Sequence, residues 1–303
     1  MSQDDFAIRL AAFDAIGKLV DKVGRPIPWS EIATGFIFGG ERILFASRPR
    51  GIYKPKQLSR GALSVKTPVP RLGRTVRYID LSVEMDSFIY KLQGSNPNAH
   101  DNAWLREAWE DRLPLIYFYG VAETYYEPIW PVYVVSWEPG QLQVRLEAAP
   151  AKDFVIAEGL AEEVERRYAT RLAKQRIHQA AFREIVLQAY DERCAFSRLP
   201  IRRLLQAAHI VADTHELGVP SVQNGIALSA LHHAAFDANL LGIDPDYVIR
   251  VGDRLKGSSD GLLLERELKG LDGVHMNVPH RHLLRPSRDL LALRYEAFQE
   301  FNG

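Results

Sequence analysis

Four of the chain's nine histidines fall in one stretch, QAAHIVADTHELGVPSVQNGIALSALHHAAFD, residues 206–237. The same stretch holds an asparagine beside a glycine and an aspartate four residues after the last histidine. His209 precedes Asn224 by fifteen residues, Asn224 precedes His233 by nine, and His233 precedes Asp237 by four. Residues four apart share a helix face, so a helix here offers an imidazole and a carboxylate side by side. Facing a second imidazole, that pair can hold one divalent cation next to a general base. The chemistry such a set suits is phosphodiester hydrolysis. Water must lose a proton as it attacks phosphorus, and a neutral imidazole with an intrinsic pKa of about 6.5 takes it at neutral pH.

Those groups need elements to position them. AHIV reads as a short strand, SVQNGIAL as a turn and a second strand, and SALHHAAFDANL as a helix. His232 then points roughly 100° away from His233. The base must stay neutral, so its other ring nitrogen needs a carbonyl partner, and an asparagine on the facing strand could supply one.

AAHIV, QNGIALSALHH and AFD in this order resemble the HNH endonuclease family and its ββα-metal fold. The resemblance implies that His209 is the general base. Asn224 is the central asparagine, which orients that base or supports the loop. His233 is a metal ligand, and Asp237 stands where some of these nucleases place another. The implied cofactor is one Mg²⁺ or Mn²⁺ per site. The sequence departs from the family at two points. Many HNH enzymes carry a metal-binding acidic residue or histidine just before the base, where this chain has Ala208. Many also carry two CxxC pairs for zinc; the matching positions here are Cys194, Ser197, Ser229 and His232. One thiol, one imidazole and two hydroxyls make a poor tetrahedral site, so no structural zinc is expected.

Apolar residues make up 47% and charged residues 25% of the chain, as in a soluble globular protein. No apolar run reaches the roughly 18 residues of a membrane span. The start MSQDDFAIRL is acidic rather than basic before an apolar segment, against a secretory signal. The single Cys194 excludes an internal disulfide and fits a reducing cytoplasm. Net charge is zero but unevenly spread. Ala46 to Arg77 contains nine Lys or Arg and no acid; Arg166 to Gln206 contains ten against three acids. Two such blocks are the footprint of a polyanion binder.

A helix is expected over residues 4–24, and a short one in WSEIATGF with Ser30 as its cap. Between about 35 and 145, FIFGGERILFAS, GALSVKT, RYIDLSV, PLIYFYGV and WPVYVVSWE read as strands, interrupted by the helix NAWLREAWEDRL. The region 150–193 reads as one or two basic helices. Beyond the cluster, YVIRV and LLLERE read as strands and a last helix starts near Ser287. The fold class is α+β: a β-barrel-type domain over 1–150, a helical linker over 151–190, and the ββα unit with a C-terminal extension over 191–303.

YKLQG, DNAWL, PLIYF and YEPIWPVYVV, within residues 75–137, resemble the SRA domain, a PUA-like barrel that flips a modified cytosine out of DNA. A flipped base needs two aromatic faces and hydrogen-bond partners. The resemblance places them at Tyr78 and Tyr90, with Asp80 on the base's amino group and Lys91 facing the modification. FASRPRGIYKPKQLSR supplies candidate backbone contacts at Arg48, Arg50, Lys54, Lys56 and Arg60.

A reader, a basic helical linker and an HNH nuclease in this order resemble bacterial modification-dependent restriction endonucleases. The resemblance implies cleavage of double-stranded DNA carrying 5-methylcytosine or 5-hydroxymethylcytosine. One strand cut per HNH unit implies a homodimer, with no membrane role. Two other readings stay open: a non-catalytic reader with a silent HNH fold, and a nuclease whose reader recognises a backbone modification such as phosphorothioate or acts as a plain nucleic-acid clamp.

Overall fold

The computed structural model describes residues 3–67, 87–149, 160–259 and 261–303. It divides into two compact units, Met1–Ala180 and Ala181–Gly303.

The first unit opens with α1 (Gln3–Val23). Asp4 and Asp5 sit in its first turn and Lys22 in its last, matching the helix dipole. Ile8, Ala12, Phe13 and Ile16 bury one face. β1 (Ile27–Pro28) leads into α2 (Trp29–Ile32), whose N-cap is Pro28. Ser30 therefore lies inside the helix and caps nothing, contrary to the sequence expectation. A hairpin follows, β2 (Phe36–Phe38) and β3 (Glu41–Ile43), then β4 (Ile52–Tyr53), β5 (Ser64–Lys66) and β6 (Phe88–Lys91). After α3 (His100–Glu110) come β7 (Leu115–Ala122), β8 (Tyr125–Glu138) and β9 (Gln143–Ala148). The expected strand RYIDLSV lies outside the described residues.

The sheet runs β4-β5-β7-β8-β9-β6, with β1 added on β8. All eight residues of β7 are buried, as a central strand covered on both faces requires. Register shifts at Leu115/Tyr117, Gly120/Ala122 and Val134/Ser136 bend the long strands. The result is a mixed α+β unit with a curled half-barrel sheet, whose ends β4 and β6 do not pair with each other among the described residues.

α1 also fixes the basic segment. Arg9, fully buried, donates to the carbonyls of Ala62 (2.7 Å), Pro114 (2.9 Å), Arg60 (2.9 Å) and Gly61 (3.2 Å). Asp5 accepts from Ser59 N at 3.0 Å and Ser59 Oγ at 2.7 Å. These bonds satisfy backbone groups of residues 59–62 that no strand serves.

α4 (Leu160–Ala189) is one unbroken helix. The second unit begins within it. β10 (Leu205–His209) pairs antiparallel with β11 (Gly225–Ser229), and α5 (Ala230–Asp237) follows directly. β12 (Leu241–Ile243) and β13 (Ile249–Val251) form a second hairpin. α6 (Asp253–Lys256) and α7 (Arg288–Asn302) complete the unit, α7 capped by Ser287. LLLERE is not the expected strand: Leu263–Leu268 is a short π-helical segment. Three consecutive leucines suggested a strand, but Leu262 and Leu263 are 73% and 58% exposed, so no sheet neighbour covers them.

Candidate active site

The ββα unit is held from two sides, by α4 and by α7. Phe182, Val186 and Leu187 of α4, with Tyr190 just beyond it, share one core with Ala208, Ile226, Leu228 and Phe236. A Cβ on Gly225 would come within 2.3 Å of Val186 Cγ2 and 3.0 Å of Phe182 Cζ. The residue after Asn224 is glycine because α4 presses against the strand there. Glu184, with no exposed side chain, pairs with Arg202, and Arg183 donates to the Leu205 carbonyl at 3.1 Å, tying the start of β10 to the helix. At the other end, Arg294 of α7 donates to the Phe236 carbonyl at 2.7 Å and lies 4.8 Å over the Phe236 ring. Asn302 donates to the Asn239 carbonyl at 3.0 Å. The C-terminal extension thus braces the end of α5, where Asp237 sits.

His209 ends β10, opposite Gly225. Its ring stacks on Phe182 with centroids 3.9 Å apart and planes 8° from parallel. Nε2 is buried and has no hydrogen-bond partner, which leaves Nδ1 as the nitrogen that can meet a water. Burial pushes the imidazole pKa below its ordinary value. His233 acts in the same direction, while Asp213 and Asp237 act against it. The ring is therefore held neutral, as a base must be.

Asn224 does not hold the ring of His209. Of the two jobs the sequence left open, its hydrogen bonds serve the loop. Its Oδ1 accepts from Val211 N at 2.9 Å, and its Nδ2 donates to the carbonyls of Val211 (2.9 Å) and Val219 (3.2 Å). A fully buried amide with these bonds fixes both ends of the loop that follows His209.

His233 Nε2 and Asp237 Oδ2 are 3.2 Å apart on one face of α5. His233 Nδ1 lies 2.7 Å from Gln206 Oε1 on β10, a residue the sequence reading missed. With Gln206 Oε1 as acceptor, Nδ1 carries the proton and Nε2 turns its lone pair toward the carboxylate. Two acceptors in that arrangement are a donor pair for a hard or borderline cation, oriented by an amide behind it. The residues thus fit a divalent ion, which His233 and Asp237 would hold. Among the described residues no three His, Cys, Asp or Glu side chains gather to hold a metal, in keeping with the buried Ala208 at the neighbouring position.

His232 turns inward, 2% exposed. Its Nδ1 is 3.3 Å from Cys194 Sγ and 3.0 Å from Ser229 Oγ, and its Nε2 is 3.0 Å from the Glu267 carbonyl. Burial alone would raise the Cys194 thiol, but hydrogen bonds from His232, from Ser197 and from the backbone of Ser197 and Phe196 outweigh it, bringing the pKa down to about 6. Where many HNH enzymes put zinc, these side chains bond to one another. Ser229 also caps α5, accepting from His232 N.

In the first unit, Tyr78 and Asp80 lie outside the described residues. Tyr90 is 4% exposed, edge-on to Tyr117 at 6.2 Å, and Lys91 Nζ donates to Gln143 Oε1 at 2.7 Å. Arg48, Arg50, Lys56 and Arg60 are exposed and Lys54 is half-buried. Arg60 faces Asp111 at 3.2 Å and Glu110 at 3.5 Å; Arg50 faces Asp101 at 3.2 Å.

Two strands and a helix thus carry a stacked imidazole and, on the helix, a second imidazole beside a carboxylate. Residues 194–244 match the sequence model of the HNH endonuclease family, a span that contains β10, β11 and α5. Among solved structures, the chain is similar to the modification-dependent TagI restriction endonuclease: 13% identity, a TM-score of 0.30, and coverage of 78% of this chain and 82% of that one. No curated protein matches. No helix among the described residues is long and apolar enough to cross a membrane.

Proposed function

We propose that the protein is a modification-dependent restriction endonuclease that hydrolyses double-stranded DNA near 5-methylcytosine or 5-hydroxymethylcytosine, working in the cytoplasm as a homodimer. The observation that carries the nuclease part is the family match at 194–244 over a ββα unit in which His209 is held neutral beside the His233–Asp237 pair.

His209 takes the proton from the attacking water at Nδ1. Phe182 walls off one face of the ring, which keeps the proton-free form available at neutral pH. Asn224 holds the following loop in place and, through it, the end of β10. His233 and Asp237 would hold Mg²⁺ or Mn²⁺. When bound, that ion supplies charge stabilisation to the phosphate and the leaving oxygen. The reader part rests on the SRA-like motifs, with the modified base among Tyr78, Asp80, Tyr90 and Lys91 and the strand along Arg48, Arg50, Lys54, Lys56 and Arg60.

The test offers purified protein three otherwise identical plasmids, with plain, 5-methyl and 5-hydroxymethyl cytosine, in Mg²⁺ or Mn²⁺. Cleavage of a modified plasmid only, lost in His209→Ala, is the expected result. Cleavage of all three keeps the nuclease and removes the modified-base reader. The two-ligand metal pair and Ala208 favour one second reading, a silent HNH fold on a DNA reader; tight binding of modified DNA without cleavage would select it.

A further inference from the structure

The first unit holds a cavity of about 440 Å³ beside the β2–β3 hairpin, and four of its lining side chains are Arg42, Arg50, Lys54 and Lys56. No carboxylate among the described residues lines it. Among those residues, three of these cations have no carboxylate partner. Arg42 donates only to the carbonyls of Thr34 (2.8 Å) and Ala33 (2.7 Å). Lys54 donates to the carbonyls of Leu58 (2.6 Å) and Ser59 (3.5 Å). Lys56 has no partner among the described residues and is exposed. Arg50 shares Asp101, and the nearest acid on the hairpin, Glu41, accepts from Gln57 at 2.8 Å. Tyr53 gives the cavity an aromatic wall, and burial pushes the pKa of its hydroxyl up.

Like charges gathered in one concavity repel one another and raise the local anion concentration. An anion with several oxygens offsets that repulsion, and guanidinium and ammonium donors match phosphoryl oxygens. The volume falls in the roughly 300–1,000 Å³ range of small-ligand sites. Buried Arg9 and Asp5 fix the far end of this segment through residues 59–62, so the cations are presented by an anchored loop.

We propose that this cavity binds a nucleotide phosphoryl group, with Arg42, Lys54 and Lys56 on its oxygens and Tyr53 beside the attached sugar or base. The phosphoryl group can come from a DNA strand or from a free nucleotide. The inference rests on reading the first unit as the DNA-contacting one and not on the nuclease chemistry.

The experiment uses the full chain as His209→Ala in EDTA, so that binding is read without cleavage. Fluorescence anisotropy follows a short unmodified duplex across a salt series, and calorimetry follows inorganic phosphate and adenosine 5′-monophosphate. The variants are Lys56→Gln, which removes no internal contact, and Lys54→Gln/Lys56→Gln; exposed Lys18→Gln is the control. A strand-phosphate site predicts duplex affinity weakened about 3- to 10-fold by Lys56→Gln, with the salt slope falling by about one per lysine removed. A free-nucleotide site predicts mononucleotide binding that depends on Lys54 and Lys56 while duplex binding does not. Duplex binding that is unchanged in the double variant, with neither small phosphate bound, overturns the cavity together with the strand contacts at Lys54 and Lys56, and leaves DNA contact by the rest of the basic segment standing. Absence of duplex binding in the parent removes that reading, and the cavity then stands only if a small phosphate binds.

Discussion

Gln206 Oε1 lies 2.7 Å from His233 Nδ1, across the junction of β10 and α5. A strand residue thereby sets the ring orientation of a helix residue, and with it the direction of the Nε2 lone pair. Gln206→Leu should lower Mn²⁺ affinity about 10- to 100-fold, the usual loss when the group behind a metal-bound histidine is removed. Gln206→Glu should retain most of it. Calorimetry in the His209→Ala background measures this without turnover. Equal affinity in all three proteins would mean that His233 needs no support.

The pH profile of cleavage should carry the mark of the Phe182 stack. Burial disfavours the imidazolium of His209, so its folded pKa lies below the ordinary value of about 6.5. The neutral, competent form then persists to lower pH, and the acid limb of single-turnover cleavage should fall below pH 6.5. Phe182→Leu admits water to one ring face and should move the limb upward. A limb above 6.5 in the parent would contradict the assignment of the base.

Asn224→Ala removes three hydrogen bonds from a fully buried position. It leaves Val211 N and two carbonyls without these partners, at a cost of about 2–3 kcal/mol. The midpoint of thermal unfolding should drop, and amide exchange at Val211 should quicken. A variant with normal stability and exchange, but no cleavage, would move Asn224 from the loop to the chemistry.

Cys194→Ala strips His232 Nδ1 of its thiol partner inside the core. The second unit should lose about 1–3 kcal/mol. Treating the parent protein with a strong zinc chelator should leave its unfolding midpoint where it was. A lower midpoint on chelation would instead place a structural metal in the chain.

The ββα unit was legible because its spacings are local: a four-residue interval on a helix fixes two side chains on one face whatever surrounds them. Gln206 was not, since its contact with His233 joins residues 27 apart and a lone exposed glutamine carries no motif. The charges of α4 dominate its sequence and mask the apolar pair Phe182 and Val186, four apart, the one local sign of a packed face. LLLERE misled because a leucine run looks alike in strand and helix. Ser30 misled because a proline one residue before Trp29 set the helix start first.

The final turns of α4 have a consequence for modular exchange. Phe182 and Val186 form the wall against which Gly225 and His209 rest. A seam joining a foreign N-terminal module to the ββα unit must therefore fall before residue 181. A fusion spliced at 191 would carry His209, Asn224, His233 and Asp237, yet deliver them with their back missing.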